Sequence, residues 1–172
     1  MQARALILLT ALGATVALFV FSRTETGAIA IGDVVNKLRP RGIRNNNPGN
    51  IDWIADPAKR WRGMIRKETP EEGGRFGVFD TPANGIRAIA QELRVDWRRG
   101  VRTVHGLISN WAPSNENNTR AYAVAVANEI NTTPDATIDV LGNLVGITTA
   151  IIRHENGQVP YSRAEIEAAV NS

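Results

Sequence analysis

The sequence contains no cysteine, which excludes disulfide bonds and any zinc or iron–sulfur site with thiolate ligands. It has only two histidines, and His154 stands in HENGQ, which lacks the second histidine of the HExxH motif of zinc peptidases. The chain also lacks GxSxG, Walker and GxGxxG motifs, and it shows no convincing Ser/His/Asp order. We therefore expect neither covalent acyl transfer nor a metal or organic cofactor.

The charge balance is only mildly positive. The 20 Lys and Arg residues exceed the 17 Asp and Glu residues by a net +3, and the basic residues are nearly all arginine. A modest positive charge suits an anionic partner such as nucleic acid, anionic lipid or a cell-wall polymer, but it does not choose among them. Arginines 94, 98, 99 and 102 form a basic cluster that is more typical of a solvated helix terminus, so no nucleic acid is expected as a partner.

The amino-terminal part of the sequence differs from the rest. Residues 5–21 carry no charge and are bracketed by Arg4 and Arg23, which predicts a transmembrane or signal-anchor helix in residues 1–22 and a linker in residues 23–40. Arg4 favours a cytoplasmic start, so the following domain is expected outside the cytoplasm. The expected location is therefore the host periplasm or the virion, with residues 5–21 contacting the inner or virion membrane. Cleavage after Ala30, retention, and later release of the segment all stay open.

Residues 41–172 are predicted to form one α-rich domain. Helix caps are expected at Asp80 or Thr81, Thr103, Asn118 or Thr119, Asp139 and Ser162, each followed by apolar residues at helical spacing. Residues 42–79 contain many turn formers and predict an irregular polar lobe with a short strand or hairpin near 75–79. The predicted fold class is mainly α (α+β, lysozyme-like), with an amino-terminal transmembrane or signal-anchor helix.

The most chemically informative position is Glu155. The helix that we predict from Asp139 to about His154 carries an apolar stripe through Leu144, Thr148 and Ile151, and the stripe continues onto Glu155. A carboxyl group at the end of such a stripe is partly desolvated, which favours its protonated form and suits it as a general acid. The alternative is a glutamate at a helix end that only tips into solvent.

A second feature is the asparagine-rich segment at residues 44–51. Its amides could hold the hydroxyl and acetamido groups of a sugar polymer, although Asn, Pro and Gly are also common in turns. Trp111 offers a face for a sugar ring if it is exposed. The predicted substrate-binding residues are Asn45, Asn46, Asn47, Asn50, Trp111 and, from the resemblance below, Tyr122.

Longer motifs resemble a known family. RGIRNNNPGNI, RFGVFDTPANGIRA, TVHGLISNWAPSNENNTRAY and AIIRHENGQVPY look like a family of phage-encoded virion and lysis proteins, over nearly all of residues 41–161. Members of that family are regarded as lysozyme-like, peptidoglycan-degrading domains. A more distant likeness is to lytic transglycosylases and bacterial glucosaminidases, in which the catalytic glutamate closes an apolar helix. Here that helix comes last, which suggests a circular permutation.

The resemblance implies cleavage of the β-1,4 bond between N-acetylmuramic acid and N-acetylglucosamine. Glu155 would be the catalytic acid, the asparagine segment would bind the glycan strand, and Tyr122 would line the cleft opposite the acid. A muramidase requires a second carboxylate, whereas a lytic transglycosylase requires only one acid/base. Asp52, Glu68 and Asp80 are nominal second carboxylates that the sequence does not place convincingly, which favours the single-glutamate mechanism. The rival interpretation is a non-catalytic, membrane-associated structural protein of a phage with a lysozyme-like fold.

Overall fold

The computed structural model describes residues 6–11, 14–19, 36–113 and 118–172. The chain divides into two compact units, Met1–Arg39 and Pro40–Ser172. The possible cleavage site after Ala30 and most of the predicted linker lie outside the described residues. Residues 114–117 also lie outside the described residues.

The amino-terminal unit contains a two-stranded antiparallel sheet. Strand β1 (Leu6–Ala11) pairs antiparallel with β2 (Ala14–Phe19), so that Leu6 lies opposite Phe19. The prediction of a transmembrane or signal-anchor helix here is therefore wrong. Hydropathy alone does not separate a helix from two short apolar strands, and the β-branched residues in this run favour strands.

Within the described residues, no helix has both the length and the apolar character that a bilayer crossing requires. The predicted fold class, mainly α with a membrane helix, is thus corrected to a mixed structure of helices and small two-stranded sheets.

The second unit carries most of the secondary structure. In chain order its elements are α1 (Arg41–Arg44), β3 (Met64–Lys67), β4 (Gly77–Phe79), α2 (Pro82–Arg98), α3 (Val104–Trp111), α4 (Thr119–Glu129), α5 (Leu144–Asn156) and α6 (Arg163–Val170). Single 3₁₀ turns lie at Pro57–Lys59 and Pro70–Glu72.

Most helix starts lie where the caps predicted them. The side chains of Thr81, Thr103 and Asn118 each accept a hydrogen bond from a backbone N–H in the first turn, and Ser162 forms a capping box with Glu165. Helix α5 differs, because it begins at Leu144 instead of Asp139. The Asp139 carboxylate instead accepts from the Gly142 N–H in a turn that precedes the helix.

Helix α5 lies at the centre of the unit. It contacts α1, α2, α4 and α6, while α2 also contacts α6 and β4, and α3 contacts α4. The core is mainly apolar, and its most deeply buried side chains include Phe79, Ile86, Ile89, Leu93, Leu107, Ile108, Ile147, Ile151, Ile152 and Ile166. Because every long helix contributes to this one core, the end of α5 is held on several sides.

The irregular lobe presents the asparagine-rich segment to the helices. Strand β3 pairs antiparallel with β4, and the Asn45 carbonyl accepts from the Phe79 N–H while the Ile51 carbonyl accepts from the Gly77 N–H. The segment is thus fastened along β4. The short strand or hairpin predicted near residues 75–79 is confirmed as the strand β4, and its partner β3 was not predicted.

Gly85 on α2 allows the asparagine-rich segment to pack closely against this helix. A Cβ atom at Gly85 would lie 1.9 Å from the Asn46 carbonyl oxygen, so an alanine there cannot be accommodated without moving the loop backbone. We expect Gly85→Ala to lower the free energy of unfolding by about 1–3 kcal/mol, measured by denaturant unfolding of the full chain. Alanine at an open helix position stabilises by up to about 1 kcal/mol, so a rise in stability would contradict this packing.

Candidate functional site

Glu155 lies in the last turn of α5, at the edge of the core. The buried residues Thr148, Ile151 and Ile152 precede it on the helix, and the Glu155 side chain itself is half-buried. Gly157 ends the helix in the left-handed conformation (φ 67°), and its N–H donates to the Arg153 carbonyl at 2.8 Å. The carboxyl group is therefore held at a fixed point between core and surface.

Both carboxylate oxygens of Glu155 accept hydrogen bonds from residues remote in sequence. The Tyr122 hydroxyl, from the first half of α4, donates to Oε1 at 3.0 Å. The Asn50 amide, from the asparagine-rich segment, donates through Nδ2 to Oε2 at 2.9 Å. The structure thus brings together three of the residues that the sequence nominated: the acid, the tyrosine and one asparagine.

Tyr122 stays protonated at this site. Its side chain is 1% exposed, and burial together with the adjacent Glu155 carboxylate raises the pKa of the Tyr122 hydroxyl far above its usual range. The His154 ring stacks on the Tyr122 ring, with 3.5 Å between centroids and 12° between planes. The tyrosine is therefore fixed from both sides and keeps its proton at all ordinary pH values.

Asn156 ties the end of α5 to the asparagine-rich segment. Its Nδ2 donates to the Pro48 carbonyl at 2.7 Å and to the Ile152 carbonyl at 2.9 Å, and its side chain is buried. Sequence reasoning treated Asn156 only as a neighbour of the acid. Its position four residues after buried Ile152, on the apolar stripe, was the signal that this amide is buried and bonded.

The asparagines of the segment have different roles. Asn45 and Asn47 are buried: Asn45 donates to Glu68, and Asn47 donates to the carbonyls of Ile51 and Gly77. Asn46 donates to the carbonyls of Phe79 and Asp80. Three of the four predicted sugar-binding amides therefore hold the segment itself in place.

The backbone explains why asparagine recurs in this segment. Asn46 and Asn50 have φ angles of 51° and 49°, in the left-handed region that asparagine tolerates better than most residues. The same conformation turns the Asn50 side chain out of the segment toward Glu155. Asn50 is thus the one amide of the four that contacts the acid.

Glu68 is unavailable as a second catalytic carboxylate. It is buried and bound by the Arg41 guanidinium, by the Asn45 amide at 2.6 Å and by the Phe76 N–H at 2.9 Å. Burial alone would raise the pKa of Glu68, but these hydrogen bonds, that from Arg41 foremost, lower it to about 2. A carboxylate this strongly held has a structural role.

The other two nominal carboxylates are exposed and engaged elsewhere. Asp52 forms an ion pair with Arg75 at 2.7 Å, and Asp80 accepts from the Asn84 amide at 2.8 Å beside the start of α2. Within the described parts of the chain, no group of three or more His, Asp or Glu side chains is arranged to hold a metal ion.

A small open groove adjoins Asn50. It is lined by Gly49, Asn50, Ile51, Asp52, Arg75, Glu92, Asn110 and Trp111. Trp111, which is also among the predicted substrate-binding residues, is half-buried here and packs on Gly49. Because Asn50 belongs to both the groove wall and the Glu155 site, a molecule in the groove would lie beside the acid's hydrogen-bond partner.

Glu92 is a groove residue that sequence reasoning missed. It comes from α2 and is half-buried, and its Oε1 accepts from the Trp61 indole N–H at 3.0 Å. Burial raises the pKa of the Glu92 carboxyl, and the Trp61 hydrogen bond offsets this only in part. The signal for it was its place at the border of the apolar stripe of α2, three residues after Ile89, where a glutamate faces neither core nor open solvent.

Comparison with known proteins gives a specific relative. No family model matches the chain. Protein P5 of Pseudoalteromonas phage PM2 is 35% identical over 128 residues, which is 74% of this chain and 78% of that protein. An alignment at this identity that spans most of both proteins extends well beyond a shared motif, and the chain belongs to the bacteriophage protein family of PM2 Protein P5.

Proposed function

We propose that this chain is a peptidoglycan-degrading glycosidase of a bacteriophage, with Glu155 as its acid and the glycan strand as its substrate. The observation that carries the proposal is the half-buried Glu155 carboxyl between the Tyr122 hydroxyl and the Asn50 amide, beside an open groove. General acid catalysis of glycosidic cleavage requires such a group, fixed in position and within reach of the sugar.

The donors around Glu155 determine which oxygen can carry a proton. The Asn50 Nδ2 can only donate, so Oε2 accepts its hydrogen bond in either ionisation state. The Tyr122 hydroxyl can donate to the carboxylate or accept from the carboxylic acid, so the transferable proton belongs on Oε1. After the proton passes to the glycosidic oxygen, both neighbours donate to the carboxylate and stabilise it.

The groove has the chemistry expected of a sugar subsite. The exposed Asn110 amide and the second N–H of the Asn50 amide can pair with hydroxyl and acetamido groups, and the Trp111 ring offers an apolar face for a pyranose. Of the predicted substrate-binding residues, Asn50 and Trp111 line this groove, and Asn110 is a groove residue that the sequence did not nominate. Asn45, Asn46 and Asn47 serve the same site indirectly, by shaping the segment that carries Asn50.

Membership of a bacteriophage family supports murein as the polymer. A phage has to breach the cell wall of its host, and a wall-degrading enzyme can act from the virion at entry or in the host periplasm at release. The proposal covers either place, since both present the same glycan.

The proposal is tested by incubating the purified full chain with dye-labelled murein sacculi and measuring the release of soluble fragments. We expect release that is linear in protein concentration, with saccharide fragments identified by mass spectrometry. Heat-unfolded protein is the control for dye leakage. Failure of the folded chain to release fragments above this control would leave the non-catalytic interpretation in place.

Tyr122→Phe tests the orientation of the acid. The substitution keeps the ring and its stack on His154 but removes the hydroxyl that binds Glu155 Oε1. Because a hydrogen bond to a charged group contributes about 1.5–3 kcal/mol, we expect fragment release to slow by about 10- to 100-fold. Unchanged release by a variant with a normal thermal unfolding transition would show that Tyr122 does not position the acid.

A further inference from the structure

The carboxylates of the described residues fall into two groups. Most are exposed, paired with a cation or used to cap a turn or helix: Asp52, Asp56, Glu68, Glu71, Glu72, Asp80, Asp96, Glu129, Asp135, Asp139, Glu165 and Glu167. Glu92 and Glu155 differ from these. Each is half-buried, and among the described residues neither forms an ion pair or caps an element. A partly desolvated carboxylate without a cation is costly to keep, and such groups concentrate at functional sites.

Asn50 contacts one of these glutamates and lines the groove together with the other. Asn50 donates to Glu155 Oε2 through Nδ2, and Asn50 and Glu92 both line the groove. Glu155 reaches this point from the end of α5, whereas Glu92 reaches it from the middle of α2. A sugar seated in the groove would therefore lie against Glu92 and beside the partner of Glu155.

From this arrangement we infer that Glu92 is the second catalytic carboxylate of the proposed glycosidase and activates the water that attacks the sugar, which makes the reaction a hydrolysis. The inference rests on the proposed function. Glu92 is better placed for this role than the three carboxylates considered from the sequence, because Glu68 is bound by Arg41 and both Asp52 and Asp80 are exposed.

The step balances with water as the only co-reactant. Glu155 gives its proton to the glycosidic oxygen, and the bond between that oxygen and the anomeric carbon breaks. Glu92 takes a proton from water as the water oxygen bonds to the anomeric carbon. Each carboxyl group then holds the state that the other began in, and a proton exchange with solvent restores both.

The surroundings of Glu92 suit a base. The Trp61 indole fixes Oε1, while Oε2 accepts no hydrogen bond from any residue that the structure describes. One oxygen is thus oriented and the other is left for water. The neighbouring Asp96, one turn later on α2, is itself held by the Asn110 amide and by Arg99, so it does not compete for that water.

A structural role for Glu92 as the acceptor for Trp61 makes a different prediction. Glu92→Gln keeps a carbonyl oxygen for the indole and nearly the same volume, so a structural role would survive it. Only the capacity to take a proton is lost. The matched control is Glu167→Gln, which removes one negative charge from an exposed position on α6.

The test uses the full chain, purified murein and ¹⁸O-labelled water. We expect wild type and Glu167→Gln to give reducing ends that carry ¹⁸O, and Glu92→Gln to release fragments at least about 10²-fold more slowly at an unchanged unfolding midpoint. Azide should restore cleavage by Glu92→Ala and yield a glycosyl azide, because the small anion can occupy the vacated position and attack the anomeric carbon.

Two results would overturn the inference alone: anhydromuramyl ends from the wild-type protein, or release by Glu92→Gln at the wild-type rate. Both would leave Glu155 as the acid of a glycosidase. Absence of release by the wild-type protein would overturn the proposed function, and the assignment of Glu92 with it.

Discussion

Glu155→Gln is expected to slow the release of murein fragments by at least about 10²-fold, the usual contribution of a general acid. The substitution removes the transferable proton and little else. The glutamine carbonyl can accept from the Asn50 amide, and its NH₂ group can donate to the Tyr122 hydroxyl, so both hydrogen bonds of the site can be kept. The measurement is the initial rate of dye release at saturating murein, beside the thermal unfolding curve of the same preparation.

Glu129→Gln is the matched control for this experiment. Glu129 lies at the end of α4 and pairs with Arg153 on α5, so its replacement removes a carboxylate whose partner is two residues from Glu155, without touching Glu155. We expect its rate to stay within about twofold of wild type, since exposed ion pairs contribute at most about 1 kcal/mol. Equal rates for Glu155→Gln and Glu129→Gln would remove Glu155 from the mechanism.

Glu68→Gln is expected to have the largest effect on stability, lowering the free energy of unfolding by about 3 kcal/mol near neutral pH. The buried carboxylate accepts from Arg41, Asn45 and two backbone N–H groups, and glutamine cannot replace all of these acceptor sites. Denaturant unfolding of the full chain measures the difference. Asp135→Asn, at an exposed ion pair with Arg120, is the control and should cost no more than about 1 kcal/mol.

The pH dependence of that difference has a definite sign. The pKa of Glu68 is lowered in the folded state to about 2, from an ordinary value of 4.5. Its stabilisation is therefore fully present above the unfolded value and is lost as the pH falls through the folded one. We expect the gap between wild type and Glu68→Gln to narrow steadily below about pH 4.5. A gap of constant size across this range would show that packing, and not the charge, accounts for it.

Local signals in the sequence predicted the helices well. Thr81, Thr103, Asn118 and Ser162 mark helix starts because a capping side chain acts on residues only two or three positions away. The helix start predicted at Asp139 was wrong, because its side chain caps a turn. Aspartate is common both in turns and at helix starts, so the local sequence does not distinguish the two. At the amino terminus, an apolar run fitted a helix and a hairpin equally, and only strand pairing separates them.

In the candidate site, too, features within one helix were predictable and those that depend on distant parts of the chain were not. Glu155 could be nominated because it continues an apolar stripe within one helix. The separate roles of the asparagines could not, because burial of Asn45 and Asn47 depends on Glu68 and β4, far along the chain. Glu92 escaped notice for a related reason: its relation to Asn50 exists only after α2 packs beside the asparagine-rich segment.

The hydrogen bonds around Glu155 join parts of the chain that are far apart in sequence, which affects when the site can form during folding. Asn50 and Glu155 are 105 residues apart in the chain, and Pro48 and Asn156 are 108 apart. Contacts of such high sequence separation are formed late, because the entropy of closing a long loop is lost before they stabilise anything. A chain still emerging from the ribosome lacks α5, and with it the acid, until nearly all of the second unit has been synthesised. We therefore expect the proposed Glu155 site to form late in folding, so a chain truncated before α5 would lack it.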